Sequence, residues 1–409
     1  MQDSPLLGQI LLGYAPIVGA GGQVSGLQLA LMPAQSQTRL DAAELLKWLA
    51  HAWPGDQTPG AGAPLQVLLN IVSESLLDEL LGLHPPPRFG LELPAFMTSG
   101  AERSGRFRDL HAKQVSLVAK GWAVSNLPES LLQSFRALIV DAADEDLGID
   151  RPPSNGPRKL DTYIEAVRNT AELELAFASG ALGVLGLPAG DEAVPSRMAL
   201  APELRVITEL MQLSQSKGSF EHMQALMHTD AALASRFVRL VNSPAFGWRV
   251  EVPSFAHVFL LLGPGRLMRW LALLLVWSVP GVQARPLAQL ALRRGLAMAA
   301  LTRAAGQEDQ EDLEDLEDEM FICGVLSLLD RMTGLDFQDL VDQVPMPARV
   351  QASITGPAGP YARHLNLLAA FEQASFAEIG EAADSLMITQ RDVNRAVMAA
   401  LAAARRLEA

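Results

Sequence analysis

A single cysteine, Cys323, stands among 409 residues. That excludes a disulfide framework and fits a reducing compartment, the cytoplasm; the thiol itself is expected to be a small buried hydrophobe. Zinc chemistry is excluded with it. The seven histidines are His51, His84, His111, His222, His228, His257 and His364, and no two of them are three or four residues apart, so no pair shares one helical face as metal ligands. Charged residues are scarce, 19% of the chain against about 25% in an ordinary soluble domain. Their balance is −14, the wrong sign for wrapping nucleic acid. Long apolar runs are missing too. Trp270 to Val279 is about half the length of a bilayer-spanning helix, so it reads as a buried core helix and no membrane partner is expected. The N-terminus lacks the basic region of a signal peptide. No phosphate loop, nucleophile elbow or dinucleotide-binding glycine motif occurs. Gly263-Pro264-Gly265 could hold an anion at a helix N-terminus but reads as a plain turn.

Apolar residues are plentiful, 49% of the chain, which excludes disorder for most of it. The length suits two or three domains. Nine acidic residues fall between Glu308 and Glu319, so much of the net charge has one local origin. This run is expected to be a solvated loop entering a helix N-terminus, the alternative being a site for a cation or a basic partner.

The two halves differ in texture. Up to about residue 190, short apolar runs alternate with Gly/Pro-rich breaks. Leu65–Val72, Phe89–Leu93, Trp122–Ser125 and Ala137–Asp141 read as strands, with helices over Ala42–Ala52, Ser75–Leu81 and Pro128–Arg136. Such alternation predicts an α/β domain with a parallel sheet. From about Pro195 the strand signals vanish. Helical periodicity covers Pro202–Gln215, Phe220–His228, Asp230–Val241, Ser254–Leu262, Gly265–Val279, Pro286–Ala305, Glu319–Thr333, Pro347–Thr355, Gly359–Gln373 and Thr389–Leu407. The second half is therefore expected to be all-α.

Particular residues carry a family resemblance. His228-Thr229-Asp230-Ala231-Ala232-Leu233 leads into a Leu/Arg-rich helix ending Asn242-Ser243-Pro244-Ala245-Phe246, followed by Val252-Pro253-Ser254 and Leu262-Gly263. This resembles the signature of the HDOD domain, an all-helical relative of HD-type metal phosphohydrolases that has lost the metal-binding His-Asp pair. The helix that would carry the pair reads Gly324-Val325-Leu326-Ser327-Leu328-Leu329-Asp330. Ser327 and Leu328 fall on the pair's positions and cannot ligate a catalytic metal. Within the signature, Asp230, Arg236, Arg239, Asn242 and Ser243 are the candidates for the domain's role. Asp230 is equally well placed to cap the helix it opens, and Asn242 to end it.

The first half is similar to the EAL domain that precedes HDOD in one subgroup of these proteins. Gly13-Tyr14-Ala15-Pro16-Ile17-Val18 and Val24-Ser25-Gly26-Leu27-Gln28-Leu29-Ala30 resemble its opening strands. The resemblance implies a TIM-type barrel, which in the EAL family hydrolyses cyclic di-GMP with two divalent cations. Gln28 stands at the position of the motif's glutamate. Asn70 and Glu92 match a ligating asparagine and glutamate, Ser125 and Asn126 fall on paired aspartates, Ile139 on a lysine, and Asp141 is kept. Asn169 falls on another glutamate. Each carboxylate lost removes several kcal/mol of attraction for a divalent ion at an effective dielectric of 20, so this resemblance implies a degenerate site with no resident metal or other cofactor. About 190 residues are also few for a barrel that usually takes 200–250, which predicts shortened or missing helices, or a missing strand.

The expected protein thus has a degenerate TIM-type barrel over residues 1–192 and an all-helical HDOD domain over 193–409. It is expected to be a bacterial signalling protein that is not an enzyme and works through contact with signalling proteins. A non-hydrolysing receptor for cyclic di-GMP and a residual metal-dependent phosphodiesterase are the alternatives, and a second copy of the chain is a further candidate partner.

Overall fold

The computed structural model describes residues 4–35, 40–53, 66–83, 85–86, 88–94, 97, 101–121, 129–143, 160–188, 200–201, 204–216, 218–242, 252–304 and 310–408. They form two compact units, one of residues 1–191 with 369–380, the other of 192–368 with 381–409. The short segment 369–380, expected with the second domain, therefore clusters with the first.

The first unit is a closed barrel of eight strands in sequential order: β1 (Ile10–Val18), β2 (Val24–Pro33), β3 (Val67–Ile71), β4 (Phe89–Pro94), β5 (Ser116–Lys120), β6 (Ala137–Asp141), β7 (Asp161–Glu165) and β8 (Gly183–Leu185). No strand is missing. Economy comes from the connections instead, as α4 (Glu129–Leu132) has only four residues. The strands from β2 to β8 run parallel to their neighbours, whereas β1 is antiparallel to both β2 and β8. The expected strand at Trp122–Ser125 lies outside the described residues. The strand that fills this place is β5, whose Ser-Leu-Val-Ala-Lys is nearly all buried, as parallel strands covered on both faces require. Helices α1 (Ala42–Ala52), α2 (Glu74–Leu83), α3 (Ala101–Ala112) and α5 (Thr170–Ala178) complete the barrel.

Segment 369–380 packs against β1. A Cβ on Gly13 would lie 2.6 Å from the Ala374 Cα, closer than atoms can approach, so only glycine permits the contact. Beside it the Tyr14 hydroxyl donates to Glu372 at 3.4 Å.

The second unit is helical among its described residues, with α6 (Arg205–Gln215), α7 (Phe220–His228), α8 (Ala231–Val241), α9 (Phe255–Ser278), α10 (Ala284–Ala304), α11 (Gln310–Leu326), α12 (Leu329–Thr333), α13 (Phe337–Val341), α14 (Ala348–Thr355), α15 (Ala362–Glu372, ending in the first unit), α16 (Phe376–Ser385, of which 381–385 return to the second) and α17 (Gln390–Glu408). Two expectations are corrected. The helix α9 runs through Gly263-Pro264-Gly265 without a turn. A proline inside a helix costs about 3 kcal/mol, and burial of Leu267, Leu271, Leu274 and Leu275 further along, worth roughly 1.5–3 kcal/mol each, outweighs that. From Gln310 onward the acidic run is not a loop but the first three turns of α11. Arg266 pairs with Glu314, Arg269 with Asp318 at 3.1 Å, Arg303 with Glu317 at 2.6 Å and Arg349 with Glu319 at 3.5 Å. Cation-bearing helices on either side hold the like charges together. No described helix is long and apolar enough to cross a membrane.

Candidate functional site

Alternation along each strand decides which side chains reach the barrel mouth. Ile17, Leu68, Val118, Ala137, Ile139, Tyr163 and Leu185 form one buried cluster inside the barrel, while Ile164 and Val184 pack outward against α5. Residues two further along a strand share its face. Asn70, Lys120, Asp141 and Glu165 therefore follow Leu68, Val118, Ile139 and Tyr163 inward, at the carboxyl ends of β3, β5, β6 and β7. This is the end where barrels of this type assemble their sites.

Glu92 joins them from β4, level with Val118. It is only 2% exposed, and an isolated carboxylate at such burial needs compensation. Two groups provide it. Gln28 donates its Nε2 to Glu92 Oε2 at 2.6 Å, and Lys120 Nζ lies 3.3 Å from Glu92 Oε1. The same ammonium donates to Glu165 Oε2 at 2.8 Å, bridging two carboxylates from strands on either side of β5 and β6. Burial pushes the Glu92 carboxyl above its ordinary range, and Lys120 and Gln28 offset only part of that. Burial pulls Lys120 down, but Glu92 and Glu165 outweigh it, so the amine stays protonated beyond its ordinary range.

The structure brings four of the expected positions, Gln28, Asn70, Glu92 and Asp141, to one end of the barrel. Asp141 there accepts the Ala143 N–H at 2.7 Å, closing its own turn. Ile139 is fully buried in the barrel interior. Ser125 and Asn126 lie outside the described residues. Asn169 is not in the mouth: its side chain caps α5, accepting the Glu172 N–H at 2.9 Å, and the carboxylate that closes the ring on β7 is Glu165.

Two functional residues escaped the sequence reading, Lys120 and Glu165. A signal existed for each, a charged residue ending an otherwise apolar strand. For Lys120 the register adds meaning, since it sits directly across from Ile139. The ammonium expected at 139 is absent from β6 and supplied at the same level by β5. Two divalent cations do not fit these donors. Glu92 is engaged through both oxygens, Gln28 brings no charge, and a fixed ammonium already stands between the two carboxylates.

In the second unit, Asp230 caps α8 by accepting the Leu233 N–H at 2.8 Å. Asn242 ends that helix and clamps Val252 from both sides: its Nδ2 donates to the carbonyl and its Oδ1 accepts the N–H, each at 2.7 Å. Arg236 and Arg239 are exposed on α8; Ser243 lies outside the described residues. Arg239 lines a cavity of about 340 Å³ with His228, Ser235 and Ser254.

Ser327 and Leu328 do not continue a helix as expected, because α11 ends at Leu326 and α12 begins at Leu329. Ser327 Oγ donates back to the Gly324 carbonyl at 2.8 Å and accepts Arg294 NH1 at 3.0 Å, while Leu328 is buried. Here α10 and α11 touch backbone to backbone: a Cβ on Gly324 would lie 2.6 Å from the Gly295 nitrogen. Burial pushes the nearby Cys323 thiol up to about 12, so it stays protonated and inert.

Comparison with known proteins gives three findings. Residues 200–335 match the HDOD domain family. A similar curated protein is the cyclic di-GMP phosphodiesterase CdgJ of Vibrio cholerae serotype O1, 23% identical over 205 residues, 49% of this chain and 45% of the relative; the match thus spans about half the length of each. Among solved structures, the EAL domain of Mycobacterium smegmatis DcpA is 17% identical with a TM-score of 0.29, over 43% of this chain and 90% of that one. The FimX EAL domain of Xanthomonas citri, in complex with c-diGMP, is 15% identical with a TM-score of 0.29, over 44% and 85%.

Proposed function

We propose that this chain, whose residues 200–335 form an HDOD domain behind a closed eight-stranded barrel, is a cytoplasmic signalling protein of the cyclic di-GMP system that does not hydrolyse the messenger. It works through contact with other signalling proteins. One observation carries the reading: the two carboxylates held together at the barrel mouth, Glu92 and Glu165, are both engaged by Lys120 at 3.3 and 2.8 Å. A two-metal hydrolysis needs carboxylates free to offset four positive charges about 3.5–4 Å apart. A mouth that already holds an ammonium and a neutral Gln28 supplies too little negative charge. The exposed Arg236 and Arg239 of α8 give the helical unit a basic face suited to an acidic partner surface.

The decisive measurement is turnover of cyclic di-GMP by the full chain with Mg²⁺ or Mn²⁺. No linear product is expected with either metal, and turnover that Glu92→Ala abolishes would replace this reading with a residual phosphodiesterase. That second reading has the phosphodiesterase named as the Vibrio relative in its favour. Calorimetry with cyclic di-GMP separates a third outcome, since micromolar binding without turnover would make the barrel a receptor.

A further inference from the structure

We propose that the Lys120 ammonium is a resident cation, occupying the place between Glu92 and Glu165 that a divalent ion would need, and that neutralising this one side chain converts the barrel mouth into a divalent-cation site. The inference rests on the non-hydrolysing reading above and deepens it, because it names what keeps metal out.

The geometry is that of an ion and its ligands. A single atom, Nζ, faces an oxygen of Glu92 at 3.3 Å and an oxygen of Glu165 at 2.8 Å. The oxygen of Glu92 that it does not touch is held by Gln28 at 2.6 Å, so the carboxylate cannot rotate away from the central position. Asn70 and Asp141 stand at the neighbouring strand ends on the same inward face, and the surrounding donors are oxygens, the ligands that Mg²⁺ and Mn²⁺ prefer. Such ions take oxygens at about 2.0–2.2 Å. An ion at the Nζ position would draw the two carboxylates in by about an ångström, within the travel of two Glu side chains.

Charge explains why ion and ammonium exclude each other. A divalent ion within about 4 Å of a fixed ammonium meets twice the repulsion of two unit charges, in a site whose low exposure weakens solvent screening. Burial also makes the cation necessary. Glu92 is 2% exposed and cannot be ionised there without a positive neighbour. With Lys120 removed, Glu92 must either take up a proton or recruit an ion from solution, and Glu165 favours the ion by adding a second charge. Register puts the ammonium there: β5 presents Lys120 opposite Ile139, on the inward face, with a chain long enough to reach both carboxylates.

The test uses the full chain and Mn²⁺ alone, with binding read from loss of the free-ion paramagnetic resonance signal and from the thermal midpoint. Lys120→Met and Lys120→Gln shorten the side chain by one atom and remove its charge. Both are expected to bind Mn²⁺ at least about tenfold more tightly than the parent, and to gain thermal stability with added Mn²⁺ where the parent gains none. Adding Glu92→Gln to either variant should abolish the gain. A parent that binds Mn²⁺ as well as the variants, or folded variants that gain no affinity, would overturn the inference. So would failure of both variants to fold at saturating Mn²⁺, since an ion could then not take the ammonium's place. Hydrolysis by the parent chain would instead end the functional reading, so the two failures are told apart.

Discussion

The barrel mouth and the break between α11 and α12 each bring a basic side chain to a position where the catalytic members of the families that the sequence resembles would hold a metal. In the barrel the acidic groups are still there: Glu92 and Glu165 face a common centre, and Lys120 neutralises them. In the helical unit a serine and a leucine stand at the two positions. Arg294 donates to the Ser327 hydroxyl at 3.0 Å, Leu328 is buried, and the helix that would present a ligand pair is broken at those two residues. One site pairs its anions with a counter-ion; the other is a packing contact. A buried carboxylate is costly to abandon without repacking around it, whereas a hydroxyl and a leucine fit a close helix crossing directly.

If packing governs the helical site, its largest sensitivity is steric. Gly324→Val would force α10 and α11 apart and should cost about 3 kcal/mol, read as a shift of the urea midpoint; a cost near zero would show that the crossing is looser than the 2.6 Å approach implies. If charge governs the barrel mouth, Lys120→Met should cost about 2 kcal/mol without metal, less than a fully buried pair because the lysine is about one-third exposed. Adding Glu92→Gln should recover most of that loss, and a double variant as unstable as the single one would argue for lost packing instead. Asn242→Ala removes two hydrogen bonds to Val252 and should cost about 1–2 kcal/mol. Its urea midpoint tests whether this signature residue is structural.

A smaller effect comes from His364, whose imidazole burial holds below its ordinary 6.5. Below about pH 6.5 the unfolded chain takes up a proton that the folded one resists, so stability should fall with pH through that window. His364→Leu should flatten the slope in unfolding curves taken between pH 7 and 5. The smallest expected effect is none. Ser327→Asp, read by the same Mn²⁺ titration, should create no ion site, because Arg294 already donates to position 327 and Leu328 offers no ligand; a gain matching that of Lys120→Met would make the two sites alike after all.

Much of this was legible in the sequence. The alternation of short apolar runs and helices specified an α/β domain with a parallel sheet, because strands covered on both faces must be apolar throughout. The loss of strand signals after about residue 190 specified a helical unit, and Asp230 declared itself a cap by its place before an apolar helix. These are local or compositional signals, fixed by periodicity and side-chain chemistry; the departures at Gln28 and Ile139 were visible only through the family resemblance.

Other features needed the tertiary structure because they depend on residues distant in sequence becoming neighbours. Lys120 and Glu165, 45 residues apart, meet only once β5, β6 and β7 take their register. Until then Lys120 is a charge at a strand end and Ile139 a lost lysine. The acidic run looks solvated until arginines from α9, α10 and the start of α14 surround α11, and Gly263-Pro264-Gly265 looks like a turn until burial of the rest of α9 outweighs the missing hydrogen bond. Gly13 has no evident role until segment 369–380 presses against it. The sequence by itself determined that a half of alternating strands and helices precedes a helical one. Only the fold decided which charges face one another, because electrostatic energy depends on distance in space and the sequence records distance along the chain.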